Sequence, residues 1–455
     1  MSPAAPNALF HQMAAMMDHD PVAIHGVILA ITDTAPLEMR ALLASAMAAS
    51  KIPSVVAASL GFVLEAVGAT AIDTPIALGL AGSTTWVSSQ TVDPLVRMRP
   101  WLPPTRHNQL GVAVRTLRTR AAPAVPTKPS SIYRLVATLP DGSGAASIFA
   151  ATQVGAKFIL NMILLKANQG VTDALYQAPK LLTHEEWVDG TWYQPLFGTP
   201  PPANPVRNTR LPNDWKSQSF GSLILVDRGM TRRGIDDKIE EVGHNVDIIP
   251  VSLSFATKML SHGLAESLCG TRTLPFELVE VVENLRLAHV PAVASTPAAH
   301  AAELLSGLPP TRIDDTARAA AAAVSADWGG IFPCVGMWFE ANEAVDAALS
   351  KLRDRKARYM AVMDEIVPTR RDFWAGRCGW LAATLREQAK DDSWIGVALV
   401  ARDLAADIPL PLIGLMSQIA MIAVEAFEQN NPEPRAARRR VAAKTKRRRS
   451  FSVTC

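Results

Sequence analysis

Apolar residues recur at intervals of three and four along most of the chain, the spacing that places them on one face of an α-helix. The first clear run comprises Leu37, Leu42, Leu43, Ala46 and Met47, followed after Pro53 by Val56, Leu60, Val63, Leu64 and Val67. The same spacing predicts helices over residues 154–182, 255–269, 275–288, 299–305, 313–327, 341–363, 371–389, 393–405 and 410–428. The pattern therefore predicts a mainly α-helical protein, in keeping with its many alanines.

One segment departs from helical spacing. Residues 132–139 and 145–152 are two short runs separated by the turn sequence Pro140-Asp141-Gly142-Ser143-Gly144. Proline, aspartate and glycine each favour tight turns, so the segment predicts a β-hairpin. Residues 222–227 and 246–253 could form short strands or buried helical turns.

A proline-rich stretch over residues 194–216, with Pro200-Pro201-Pro202 near its centre, predicts a connection between two lobes. Long loops of this composition are usually functional arms or boundaries. On this interpretation, residues 1–193 form an N-terminal helical lobe that carries the hairpin. Residues 217–431 form a C-terminal helical lobe, and residues 432–455 form a disordered tail.

The composition indicates a globular protein, since 49% of the residues are hydrophobic and 19% are charged. The four cysteines are far apart and form no CxxC pair, and the first residues lack the pattern of a secretory signal. Both observations favour a reducing, intracellular compartment. Residues 408–424 are uncharged, but the run is short and contains two prolines, Ser417 and Gln418. We therefore expect a buried helix there and no membrane span.

Motifs that would indicate catalysis are missing from the sequence, which contains no GxGxxG, P-loop, HExxH or GxSxG pattern. His184-Glu185-Glu186 lacks the second histidine of a zinc helix. Glu241 and His244 have the spacing of a di-iron ligand pair, but such a site needs this pair twice. The sequence therefore predicts no catalytic, metal-binding or cofactor-binding residues and no cofactor, while an unfamiliar enzyme stays an alternative.

Positive charge is concentrated in two places, of which the first is the acid-free segment 94–140. The basic residues of this segment are the candidate nucleic-acid contacts. They are Arg97, Arg99, Arg106, Arg115, Arg118, Arg120, Lys128 and Arg134. Arginines match phosphate oxygens, and Trp101 and Tyr133 could stack on bases, as in a groove for single-stranded RNA. The alternative is that these arginines pair with acidic residues elsewhere in the fold. A third basic cluster, at Lys351, Arg355 and Arg358, is better explained as a solvated helix face.

The second concentration is the tail, where residues 432–455 carry nine basic residues and one acidic residue. Its net charge is +8, so the rest of the chain carries −5 of the total of +3. Charge this dense predicts disorder and strong, sequence-independent phosphate binding. Lys446-Arg447-Arg448-Arg449 also resembles a nuclear localisation signal, which predicts a nuclear import receptor as a possible partner. The candidate contacts in the tail are Arg438, Arg439, Arg440, Lys446, Arg447, Arg448 and Arg449.

In its organisation the chain resembles RNA-virus nucleoproteins, particularly those of negative-strand viruses of plants and fungi. The likeness consists of an alanine-rich helical body of two lobes, an arginine-bearing region and a basic terminal arm. It implies a viral nucleocapsid or coat protein, found in the virion and host cytoplasm and possibly the nucleus. Such a protein self-assembles into a filament or shell and packages RNA, with DNA still open. The alternatives are a cellular nuclear interaction protein that uses the tail for import, or an unrecognised enzyme with a targeting tail.

Overall fold

The computed structural model describes residues 4–32, 34–65, 70–82, 89–119, 130–141, 144–154, 157–176, 248–270, 272–287, 290–293, 295–336, 338–340, 343–388 and 392–431. Over these residues the chain forms two compact units that divide between Ser295 and Thr296. We call the first the mixed unit, because it combines helices with one antiparallel sheet. We call the second the helical unit. The predicted mainly α-helical class, with a small β component, is confirmed.

The mixed unit begins with a series of short helices that contribute most of its apolar core. They are α1 (Ala4–Met16), α2 (Pro21–Thr32), α3 (Leu37–Ala48), α4 (Pro53–Ser59), α5 (Gly61–Glu65), α6 (Thr70–Gly82), α7 (Ser89–Met98) and α8 (Pro104–Arg118). Helix α3 crosses α6 closely at Gly79, where an added Cβ would lie 2.6 Å from the backbone oxygen of Ser45. Small residues at this crossing allow the apolar faces of both helices to become buried.

The sheet follows, in the spatial order β4-β3-β2-β1-β5 with antiparallel neighbours throughout. Its strands are β1 (Ser130–Thr138), β2 (Ala145–Val154), β3 (Lys157–Lys166), β4 (Gly170–Tyr176) and β5 (Ile248–Pro250). Strands β1 and β2 confirm the predicted hairpin. At the turn between them, Asp141 Oδ1 accepts a hydrogen bond of 2.9 Å from the backbone N–H of Ala145. Strand β5 confirms a strand within residues 246–253, whereas residues 222–227 lie outside the described residues.

The predicted helix over residues 154–182 is wrong, because β3 and β4 occupy most of this range. Phe158 to Leu165 is an apolar run broken only by Asn161, and such a run fits a buried helix or a strand buried on both faces. Pairing of β3 with β2 over ten residues favours the strand. The sequence signal for the turn between β3 and β4 is the pair Asn168 and Gly170. Both residue types tolerate the positive φ angles that they adopt there.

Two helices cover β3 and β4, namely α9 (Leu253–Cys269) and α10 (Glu277–Asn284). Asn161 of β3 is 1% exposed and joins the layers. Its amide nitrogen donates to Thr152 Oγ1 on β2, and its Oδ1 accepts a 2.8 Å hydrogen bond from Asn284 on α10. The predicted connection at residues 194–216 lies outside the described residues. Strands that precede it and elements that follow it thus belong to the same sheet and the helices that cover it. The boundary between compact units falls at Ser295 instead.

The helical unit is built around two long helices, α17 (Arg371–Gln388) and α18 (Ser393–Ala405), which pack against each other. Its other helices are α11 (Pro297–Leu305), α12 (Asp315–Val324), α13 (Trp328–Ile331), α14 (Pro333–Gly336), α15 (Glu343–Ser350), α16 (Arg355–Ala361) and α19 (Gly414–Asn430). The side chains of Trp338 and Trp374 are fully buried between them. Trp374 Nε1 donates a 2.8 Å hydrogen bond to Glu340, so this buried carboxylate has a polar partner.

The helix predicted over residues 341–363 is interrupted. Asp354 adopts an extended conformation and caps α16 by accepting a hydrogen bond from the N–H of Ala357. An aspartate favours such a cap over a place inside a helix. The buried helix predicted over residues 410–428 is present as α19, whose face with Leu415, Ile419 and Val424 is buried. Among the described residues, none of the helices has the length and apolar character needed to cross a membrane.

Candidate nucleic-acid interface

The acid-free segment forms a corner of the mixed unit, in which α7 leads through a 3₁₀ turn (Arg99–Trp101) into α8. Trp101 fixes this corner, because its side chain is 1% exposed and its indole N–H donates a 2.9 Å hydrogen bond to the backbone oxygen of Val290. His107 Nε2 lies 2.8 Å from the backbone oxygen of Leu102. The sequence suggested Trp101 as a base-stacking residue, but the structure places it in the core.

Two of the candidate arginines in this corner hold the fold together. Arg106 is fully buried and forms a bidentate pair with Asp73 of α6, with 2.7 Å between its Nε and Asp73 Oδ2. Arg97 of α7 donates a 2.7 Å hydrogen bond to Glu283 of α10. Both follow the alternative explanation, in which arginines of the acid-free segment pair with acidic residues elsewhere. Arg106 is therefore not available to a nucleic acid in this fold.

Three candidate arginines behave differently, and we call them the arginine face: Arg99, Arg115 and Arg118. All three side chains are exposed. None of them lies within ion-pair distance of a carboxylate in the part of the chain that the structure describes. Arg99 and Arg115 converge over Gly111, since the Arg99 Cζ and Arg115 Nη1 atoms lie 4.0 and 3.7 Å from the position of a Cβ added there.

The remaining candidate nucleic-acid contacts are either partly buried or lie outside the described residues. Arg134 is half-buried on β1 and has other interactions, as does Tyr133 beside it. Arg120, Lys128 and the whole tail lie outside the described residues. In the third basic cluster, Arg358 pairs with Glu428 at 3.0 Å and Arg355 pairs with Glu425. That cluster joins α16 to α19, so ion pairs between helices explain it in part.

The structure also reveals a cluster of titratable side chains that the sequence did not indicate. It contains Asp20 and His25 of the α2 region, Glu65 of α5, Asp173 of β4, and Glu277 and Glu280 of α10. His25 is 3% exposed and contacts Glu65, and its ring packs edge-on against Phe62 and Phe276. Sequence patterns could not reveal this cluster, because its members come from four elements that are distant in the chain.

Burial raises the pKa values of three carboxyl groups of this cluster, those of Glu277, Glu280 and Asp173. It raises the pKa of Glu277 to about 7, an effect that the nearby charge of Asp173 reinforces. Burial and the neighbouring Glu283 raise the pKa of Glu280 to about 7, and burial raises the pKa of Asp173 to about 6. Among the described residues, no group of His, Cys, Asp or Glu side chains is arranged to hold a metal ion. The feature of this cluster is therefore the raised pKa of three of its carboxyl groups.

We expect the mixed unit to be more stable at pH 5.5 than at pH 8. The folded state holds these protons up to about pH 7, whereas a glutamate releases them near pH 4.5 in the unfolded chain. Stability should therefore fall as the pH rises through this window, by about 1.4 kcal/mol per pH unit for each proton involved. The measurement is the melting temperature of the full chain as a function of pH.

The variant Glu277→Gln/Glu280→Gln should flatten this pH dependence and should melt above the wild type at pH 8. Glu38→Gln/Asp93→Asn makes the same charge change at two exposed positions of the same unit, and it should leave the slope unchanged. A wild-type melting temperature that is equal at pH 5.5 and pH 8 would show that the cluster takes up no protons in this range.

The fold thus defines a two-unit, mainly α-helical protein whose mixed unit carries the arginine face, with no carboxylate of the described residues at ion-pair distance from it. Residues 298–428 match the family described as the Y4lR C-terminal helical domain. This range lies within the helical unit and leaves the mixed unit and its arginine face unmatched. Neither a curated protein nor a solved structure matches the chain significantly.

Proposed function

We propose that this protein binds single-stranded RNA through its phosphates and without sequence preference, using the arginine face as the contact on the folded body. The observation that supports the proposal is that Arg99, Arg115 and Arg118 are exposed and lie away from every carboxylate of the described residues. A guanidinium group offers several N–H donors in a planar fork that matches phosphate oxygens. Unpaired arginines grouped on one surface are therefore suited to a polyanion.

The contrast with other arginines strengthens this argument. Arg318 pairs with Asp315 and Asp403, and Arg370 pairs with Glu340. Arg371 donates to the backbone oxygens of Leu404 and Ile408. Many arginines of this protein thus have partners within the fold. Three exposed arginines on one corner that have no partner among the described residues favour a partner from outside.

The basic tail would add affinity in the same sequence-independent way, since phosphate neutralisation releases counterions. The wider interpretation, in which the protein self-assembles and packages a viral genome, stays a prediction from sequence. Particles that carry nuclease-protected RNA after purification without nuclease would support it. Import through the tail also stays a prediction, and it is compatible with RNA binding by the body.

We expect Arg99→Glu/Arg115→Glu/Arg118→Glu to weaken RNA binding roughly 100-fold at about 0.1 M salt. Each phosphate contact on a single strand contributes about 0.7 to the slope of log affinity against log salt concentration. Losing three contacts should therefore lower that slope by about 2. The measurement is fluorescence anisotropy of the full chain with labelled oligouridylate over a range of salt concentrations.

Lys351→Glu/Arg353→Glu/Lys356→Glu is the matched control, because it reverses the same number of exposed charges on the helical unit. It should change the affinity far less than the variant of the arginine face. Equal losses of affinity in both variants would mean that RNA binding depends only on the net charge of the protein. A second comparison, in chains that lack residues 432–455, separates the contribution of the tail.

A further inference from the structure

Arg99 and Arg115 lie close together above Gly111, whereas Arg118, the third member of the arginine face, does not. Arg99 comes from the 3₁₀ turn and Arg115 from the last turn of α8, yet both guanidinium groups approach the same point. Gly111 has no side chain to separate them, and it is buried while they are exposed. Arg118 is exposed one turn further along α8 and does not reach this point.

Two positive charges held this close call for an anion that carries two negative charges. The charges repel each other, and no carboxylate of the described residues compensates them. An internal phosphodiester carries a single negative charge. A phosphate monoester carries close to two at neutral pH and has three terminal oxygens that accept hydrogen bonds.

We propose that Arg99 and Arg115 form a site for a phosphate monoester dianion, supplied by the 5′-terminal phosphate of the bound strand. The inference rests on the proposed function, because it assigns one end of the same RNA to one part of the arginine face. Each guanidinium donates to different oxygens of the terminal phosphate, and Arg118 contacts a phosphodiester further along the strand. Binding along the strand remains independent of its nucleotide sequence, but the 5′ end of the strand is fixed at this site.

The test compares two oligouridylates of the same length, one with a 5′-phosphate and one with a 5′-hydroxyl, on the full chain at pH 7.5. We expect the 5′-phosphorylated strand to bind about tenfold more tightly, the effect of one additional charge-assisted contact. At pH 5 this preference should disappear, because the second pKa of a phosphate monoester is about 6. The 5′-hydroxyl strand, measured at both pH values, corrects for any change in the protein itself.

Three single variants locate the preference. Arg99→Ala and Arg115→Ala should each remove the preference for the 5′-phosphate. Arg118→Ala should lower the affinity for both strands equally and leave the preference unchanged. Equal affinity of the two strands at pH 7.5 would overturn the inference while leaving the proposed function intact, provided that both still depend on the arginine face. A preference that survives Arg99→Ala and Arg115→Ala would overturn it too, and failure of both strands to bind would overturn both proposals.

Discussion

Replacing Gly170 with alanine should destabilise the mixed unit by about 4 kcal/mol. Gly170 opens β4 with a φ of +79°, a conformation that costs an alanine about 1–2 kcal/mol. The added Cβ would also lie 2.1 Å from Ser267 Oγ and 2.3 Å from the backbone oxygen of Gly263 on α9. Because backbone atoms cannot move aside cheaply, this overpacking adds up to about 3 kcal/mol. Chemical denaturation followed by circular dichroism measures the loss.

Gly307 provides a matched control for this substitution. Its φ is +82°, but a Cβ added there meets nothing within 4 Å. Gly307→Ala should therefore cost only the backbone strain, about 1 kcal/mol in the helical unit. If Gly170→Ala costs no more than Gly307→Ala, then the turn between β3 and β4 does not press against α9 in the way that the structure shows.

Gly170 also illustrates which parts of the fold could be predicted from sequence. The turn at Asp141 was predictable, because its residue types favour a hairpin between two recognisable runs. The turn at Asn168 and Gly170 was missed because the apolar residues that follow Phe158 also fit helical spacing. That ambiguity is resolved by pairing with β2 and by the packing of α9, and both are contacts between segments distant in the chain.

For the candidate site, the sequence indicates a segment rich in arginine but not which of its arginines have partners in the fold. The absence of acidic residues from positions 94–140 draws attention to this corner. It could not distinguish Arg106, whose partner Asp73 lies on another helix, from Arg115, which faces solvent. One segment thus contains arginines that pair within the fold and arginines that are exposed, and only the positions of carboxylates on other elements separate the two groups.

The residues on either side of Arg99 have partners that fix the backbone of this corner. Arg97 ties α7 to α10, and Trp101 ties the 3₁₀ turn to the backbone at Val290. Arg99 lies between these two anchors. If Arg99 contacts RNA as proposed, the anchored backbone lowers the conformational entropy that is lost when a phosphate binds.

Arg106→Met should destabilise the mixed unit by about 3–5 kcal/mol and leave RNA binding by the folded protein unchanged. The substitution leaves the Asp73 carboxylate, which is fully buried, without its bidentate partner. Asp73→Leu should cost a similar amount, because it leaves a buried guanidinium uncompensated. The double variant Asp73→Leu/Arg106→Met should be much less destabilised than the sum of the two, since no buried charge then remains.

Arg312 and Asp392 provide the exposed counterpart to this pair. Their side chains are 43% and 69% exposed at a separation of 2.7 Å, so Arg312→Met should cost no more than about 1 kcal/mol. RNA affinity, measured well below the melting temperature of each variant, distinguishes structural from binding arginines. A folded Arg106→Met protein that bound RNA as weakly as the variant of the arginine face would mean that Arg106 leaves Asp73 to contact the ligand. Unchanged affinity would show that the buried arginine does not contact the ligand and contributes to the stability of the fold alone.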